Sequence, residues 1–121
     1  MSRRDVRLFL DDMLGAIEKI ERYTDGVSFE QFEANDMVTD AVVRNLEIVG
    51  EAAKHIPVEL RDSYPMLDWA RVVGFRNVVI HAYFAVDVVI VWTIATQRLS
   101  QLKAVLAQML RDMDAGGVGR M

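Results

Sequence analysis

The chain contains no cysteine, only two prolines, and seven glycines, three of them crowded into Gly116-Gly117-Val118-Gly119. Without cysteine there is no disulfide framework, zinc knuckle, iron–sulfur cluster or thiol nucleophile. With so few breakers the interior keeps one apolar rhythm, and that rhythm is helical throughout. No glycine-rich loop follows a strand, and no stretch reads convincingly as a strand, which excludes a phosphate cradle of the nucleotide-binding kind. An excess of positive charge is also missing. Fourteen basic against eighteen acidic side chains give a net charge of −4. Bulk electrostatic capture of nucleic acid is thereby excluded, although a small basic site on an acidic body is not.

The start of the chain lacks the pattern of a secretory signal, because Arg3 and Arg4 are followed at once by Asp5, Arg7, Asp11 and Asp12. The most apolar stretch, residues 78–95, carries His81 and Asp87 inside it. A charge near the middle of a membrane span costs a few kcal/mol or more, roughly 2.5–3.5 on insertion scales. The stretch therefore reads as a helix end, a turn and the start of a buried helix. The expectation is a soluble, cytoplasmic protein with no membrane partner.

What is present is 121 residues, 52% hydrophobic and 26% charged, enough for one domain with its own core. Residues 1–115 are expected to form that domain, and residues 116–121 a flexible tail. A first helix is predicted over residues 3–23, on the stripe Val6, Leu10, Met13, Ile17 and Ile20. Thr24-Asp25-Gly26 turns the chain, and Ser28 with Gln31 forms a capping box for a short helix. A second long helix is predicted from Asp36 to just before Pro57. Its stripe is Val38, Val42, Val49, Ala52 and Ile56, with Asn45 where an apolar residue is expected. Pro57 suits the first position of another short helix. A third helix begins at Leu67 or Asp68 and passes Trp69, Val72, Val73 and Val79. The last begins after Asp87 as N-cap and reaches Met113, on a seam of Val88, Trp92, Ala95, Leu99, Leu102, Leu106, Met109 and Met113. Its first half, with Val89, Ile90, Val91 and Ile94, is apolar nearly all round. A lone bundle of this size has little to cover it, so a homodimer is expected.

Three groups of residues could carry chemistry. Glu47, Glu51 and His55 share one helical face, but a di-metal bundle site needs Glu-x-x-His motifs and this chain has none. The row reads as solvated and paired with Arg44 and Lys54, and no metal or cofactor is expected. Asn45 on its apolar stripe either is a buried amide that fixes register or holds a neighbouring loop, or it or Arg44 faces a cleft and helps position a phosphate or a catalytic side chain. The third group is Gly74-Phe75-Arg76-Asn77-Val78-Val79-Ile80-His81-Ala82-Tyr83-Phe84. No acidic residue lies between Asp68 and Asp87, whereas Arg71, Arg76 and His81 do, so an acidic chain keeps one positive window for an anion. Read from residue types alone, a histidine among valines is more often a satisfied core residue than a catalyst.

The run Arg76 to Tyr83 resembles the R-x4-H-x-Y pattern of the HEPN superfamily, specifically its HepT-like toxins. The likeness extends to Arg44-Asn45-Leu46-Glu47-Ile48-Val49-Gly50-Glu51-Ala52-Ala53-Lys54 and to Asp68-Trp69-Ala70-Arg71-Val72-Val73-Gly74-Phe75. It continues through Tyr83-Phe84-Ala85-Val86-Asp87 and Trp92, and covers roughly residues 3–106. This resemblance implies an all-α, HEPN-like antiparallel four-helix bundle with additional short helices, dimeric, with two motif copies flanking a shared cleft. It also implies a metal-independent endoribonuclease acting on RNA as the toxin of a toxin–antitoxin pair. Its partner would be an MNT-type nucleotidyltransferase that transfers AMP to Tyr83. Arg76 and His81 would be catalytic, with Asn77, Tyr83, Arg44 and Asn45 in support. The family often has Leu-Pro in the final helix where this chain has Arg98-Leu99-Ser100, a departure that bears on the helix's bend. The alternative is a non-catalytic HEPN-type dimeric adaptor that binds a partner or senses a nucleotide. The long seam of the last helix would then be the functional surface, and Arg76 and His81 would hold the dimer together. As plain interior structure, Arg76 would pair with Asp68 or Asp87, and His81 with a backbone carbonyl.

Overall fold

The computed structural model describes residues 2–77 and 87–116, and these residues contain helices and turns but no strand. Helix α1 spans Arg3–Thr24, α2 Phe29–Ala34, α3 Asp36–Lys54, α4 Val58–Asp62 and α5 Trp69–Gly74. A 3-10 turn, Phe75–Asn77, extends α5. Helix α6, Val88–Thr93, runs through a π turn at Ile94–Arg98 into α7, Leu99–Asp114.

Side chains set most of these boundaries. Ser2, Ser28, Asn35, Asp68 and Asp87 each accept a backbone N–H from the first turn of the helix that follows. Ser28 and Gln31 complete the expected capping box, with Ser28 N donating to Gln31 Oε1 at 2.9 Å. Gly26 takes a left-handed conformation, φ 69°, in the turn that leads to α2. Pro57 is the N-cap of α4, one position earlier than its sequence context suggests.

The core forms where α1, α3 and α7 meet. Val6, Leu10, Met13, Ile17 and Ile20 of α1 are buried as their spacing predicts. In and just after α3, Val42, Val49, Ala52 and Ile56 of the predicted stripe are buried and Val38 is half-buried, while Leu46 and Ala53 join the core from outside that stripe. Leu99, Leu102, Leu106, Met109 and Met113 of α7 are buried as predicted. Burial of one such side chain contributes about 1.5–3 kcal/mol. At the edges α1 and α7 run antiparallel, joined by Arg7–Asp114 at 2.6 Å and Lys103–Glu21 at 2.8 Å. Tyr64, in the loop after α4, donates its hydroxyl to Asp112 on α7, while its carbonyl accepts from Trp69 Nε1 at 3.0 Å.

The last helix departs from the expected seam in its first two turns. Val91 is buried there, whereas Val88 and Trp92 are half-buried. The π turn is the cause. Its wider hydrogen-bonded ring holds one extra residue, so the face turned to the core shifts by one position upstream of it. Thr96 Oγ1 donates back to the Trp92 carbonyl at 2.7 Å, within this widened turn. The rotation brings Trp92 sideways onto α2, where its ring lies 5.0 Å from Phe32 and 6.1 Å from Phe29.

Candidate active site

Helix α3 is the scaffold of the site. It packs against α1 on one side and against α5 and the 3-10 turn on another. The second contact is unusually close. A Cβ on Gly50 would lie 2.4 Å from the Arg76 nitrogen and 2.8 Å from the Val73 carbonyl oxygen. Only glycine lets these two backbones meet, and the approach sets Arg76 beside the next residue of α3, Glu51.

Arg76 Nη1 donates to Glu51 Oε2 at 3.3 Å, and the Arg76 side chain remains 35% exposed. The other oxygen of the same carboxylate lies 3.5 Å from His55 Nε2. The hydrogen bond from Arg76 holds the Glu51 carboxyl below the usual carboxylate range. Partial burial opposes this, and the charges of Lys54 and Arg76 and the contact with His55 add to it. Arg76 pairs with Glu51 and not with Asp68 or Asp87, whose carboxylates cap their helices by accepting from Arg71 N and Ile90 N.

One turn and two turns back along α3, Glu47 and Arg44 form an ion pair of their own at 3.3 Å. The solvated row on α3 is thus real, but Glu51 turns to Arg76 and His55 as well as lying near Lys54. Asn45 is buried, 6% exposed, and donates Nδ2 to the Ala41 carbonyl of its own helix at 2.8 Å. Arg44 is solvent-facing, and Asn77 is exposed at the end of the 3-10 turn. The structure therefore brings Arg76 and Arg44 to the same side of α3 and turns the Asn45 amide inward. His81, Tyr83 and Val79 lie outside the described residues. Among the described residues no group of three or more His, Asp or Glu side chains could hold a metal ion. Nor is any described helix long and apolar enough to cross a membrane.

Sequence reasoning missed the partner of Arg76. The signal available was the coincidence of Gly50 and Glu51 in the middle of an otherwise uninterrupted helix, where a glycine costs about 1 kcal/mol relative to alanine. Such a glycine points to a close backbone neighbour.

The described residues are thus all helix and turn, and an arginine and a carboxylate meet at their surface across a glycine contact. The family model for HepT-like ribonucleases matches residues 13–109. The chain belongs to that family. It is 37% identical over 103 residues to the Methanocaldococcus jannaschii protein named "Putative RNase MJ1380", covering 85% of this chain and 94% of the relative. It is 38% identical over 101 residues to "Probable ribonuclease HepT" of Thermococcus cleftensis, covering 84% and 92%. A second M. jannaschii protein, "Putative RNase MJ0125", is 34% identical over 114 residues, covering 94% and 98%. No solved structure matches the chain.

Proposed function

We propose that this protein is a metal-independent endoribonuclease, the toxin of a toxin–antitoxin pair, in which Arg76 and His81 cut RNA in a cleft shared by two copies. The observation that carries the reading is the state of Arg76 in a chain of this family. Its guanidinium is held at the surface by one exposed carboxylate, which a phosphate can replace.

In the reaction, the ribose 2′-oxygen attacks the adjacent phosphorus and gives its proton to a base, while the departing 5′-oxygen takes a proton from an acid. The products are a 2′,3′-cyclic phosphate and a free 5′-hydroxyl. A histidine, with an ordinary pKa of about 6.5, suits either transfer, and a dimer supplies two copies of His81. Arg76, always charged and forked, offsets the extra negative charge on the phosphorane-like centre. Asn77 adds a neutral donor, Tyr83 donates to phosphate or orients His81, and Arg44 draws the flanking backbone.

Support for the homodimer comes from α6. Val89 and Ile90 are 57% and 50% exposed beside a cavity of about 520 Å³ that Phe75 and Ile94 also line. The antitoxin is an MNT-type nucleotidyltransferase. It forms a bond between the Tyr83 phenolic oxygen and the α-phosphorus of a nucleoside triphosphate, and pyrophosphate leaves. The added AMP brings bulk and negative charge into the cleft and repels RNA.

The test is RNA cleavage in EDTA by the wild type, Arg76→Ala and His81→Ala at matched dimer content. Cleavage that survives chelation and is lost in both variants is the expected result. No cleavage by any form, or equal cleavage by all three, would replace this reading with the non-catalytic adaptor.

A further inference from the structure

Beside the Arg76–Glu51 pair lies a second cavity, of about 250 Å³, between α1 and α3. It is smaller than the roughly 300–1,000 Å³ of a site for a whole ligand, and suits one planar fragment. Two rings line it. Phe9 and His55 stack at 4.9 Å between centroids and 12° between planes, and the His55 side chain is 44% exposed. Stacking on such a platform contributes to the binding of any nucleobase.

The rim decides which base. It carries the carboxylates of Asp12, Glu47 and Glu51 and the guanidinium of Arg44. Glu47 is paired with Arg44, and Glu51 with Arg76 and His55. Asp12, one helical turn from Phe9, makes no hydrogen bond or ion pair among the described residues. A carboxylate only accepts, and its two oxygens match a base edge with two adjacent N–H donors. Guanine, through N1–H and N2–H, is the RNA base with such an edge. Adenine and cytosine place a ring-nitrogen acceptor beside the amino group, and uracil flanks its single donor with carbonyls.

We infer that the Phe9–His55 stack and Asp12 form a nucleobase subsite selective for guanine. This inference rests on the ribonuclease reading for its RNA context. Glu51 joins the two places, one oxygen toward Arg76 and the other toward His55, so the subsite takes the base next to the phosphate that Arg76 holds.

The test has two arms on the full-length protein. In the first, the His55 ring resonances are followed by NMR during titration with 5′-GMP, 5′-AMP, 5′-CMP and 5′-UMP, with His81→Ala used to assign them. GMP should bind roughly tenfold more tightly than the others, Asp12→Asn should level the four, and Phe9→Leu, which keeps an apolar side chain, should weaken all of them. In the second arm, cleavage sites on a mixed-sequence RNA are mapped, and guanine should be enriched beside the cut bond. RNA cleavage without guanine preference and without a His55 response overturns the subsite and leaves the ribonuclease reading intact. A selective His55 response to GMP without any RNA cleavage supports the subsite and overturns the ribonuclease reading. Selective GMP binding with cleavage indifferent to sequence assigns the site to free nucleotide and overturns its role in RNA choice. Neither response nor cleavage overturns both.

Discussion

Arg76 carries a carboxylate on its guanidinium, so under the proposed function phosphate binding there is an exchange rather than a simple addition. Arg76→Ala should leave the fold intact, since the side chain is at the surface, and should lower cleavage by roughly 10²–10³-fold, as loss of a charge-stabilising donor does. Circular dichroism with a cleavage time course checks both halves of the statement. A different residue pair contributes to the pH dependence of stability at both ends. Tyr64 donates to Asp112, and burial, with this hydrogen bond and the Asp112 charge, pushes the phenol well above its ordinary 10.0. The same bond, with Gln108, lowers Asp112 below 3.8. The raised phenol contributes stability that is present below pH 10 and lost as pH rises beyond it. The lowered carboxyl contributes stability that is present above pH 4 and lost as pH falls below it. Thermal melts across pH should therefore fall at both ends. Tyr64→Phe should flatten the alkaline arm and reduce the acid one, where Asp112 keeps only Gln108.

At the level of elements, the contact between α3 and the turn after α5 leaves no room for a Cβ at Gly50. Gly50→Ala places a methyl against two backbone atoms that cannot rotate away. Destabilisation of roughly 1–3 kcal/mol or more is expected, with a loss of cleavage larger than the loss of folded protein, because Arg76 is displaced with its backbone. Denaturant melts and cleavage per folded molecule separate the two. The elements themselves were largely legible in the sequence. Ser28 and Gln31, Asp68 and Asp87 announce their helices because a cap is a local bond between residues three apart. The stripes of α1 and α7 are legible because 3.6 residues per turn converts spacing directly into a face. The π turn was not legible, since an extra residue in one ring leaves no local mark and only rotates what precedes it. The Arg76–Glu51 pair was hidden for another reason. It joins residues 25 apart in sequence, and such a pairing depends on packing that no local pattern encodes.

For the molecule as a whole, the uncovered flank of α6 is the feature that one chain leaves unfinished. Val89→Asp with Ile90→Asp should keep the bundle folded, because both side chains already face solvent in the single chain. If the two-copy cleft is correct, the double variant should run as a monomer by light scattering and lose cleavage. A dimer that persists with full activity would place the interface elsewhere.

The widened turn at Ile94–Arg98 has a genetic consequence. Val91 and Leu99 both face the core although they are eight positions apart, one more than a heptad. Removing one codon there restores the heptad, keeps both residues facing inward and converts the turn to ordinary α-helix. The last helix thus carries a slot where a single-residue deletion is absorbed, and deleting exposed Gln97 should shift the melting temperature by only a few degrees, about 4–8 °C per kcal/mol lost. The same deletion at Ala104, inside α7, would turn every core side chain on one side of it by about 100° and unfold the bundle. Length variation among related chains should collect at the first place and be absent from the second.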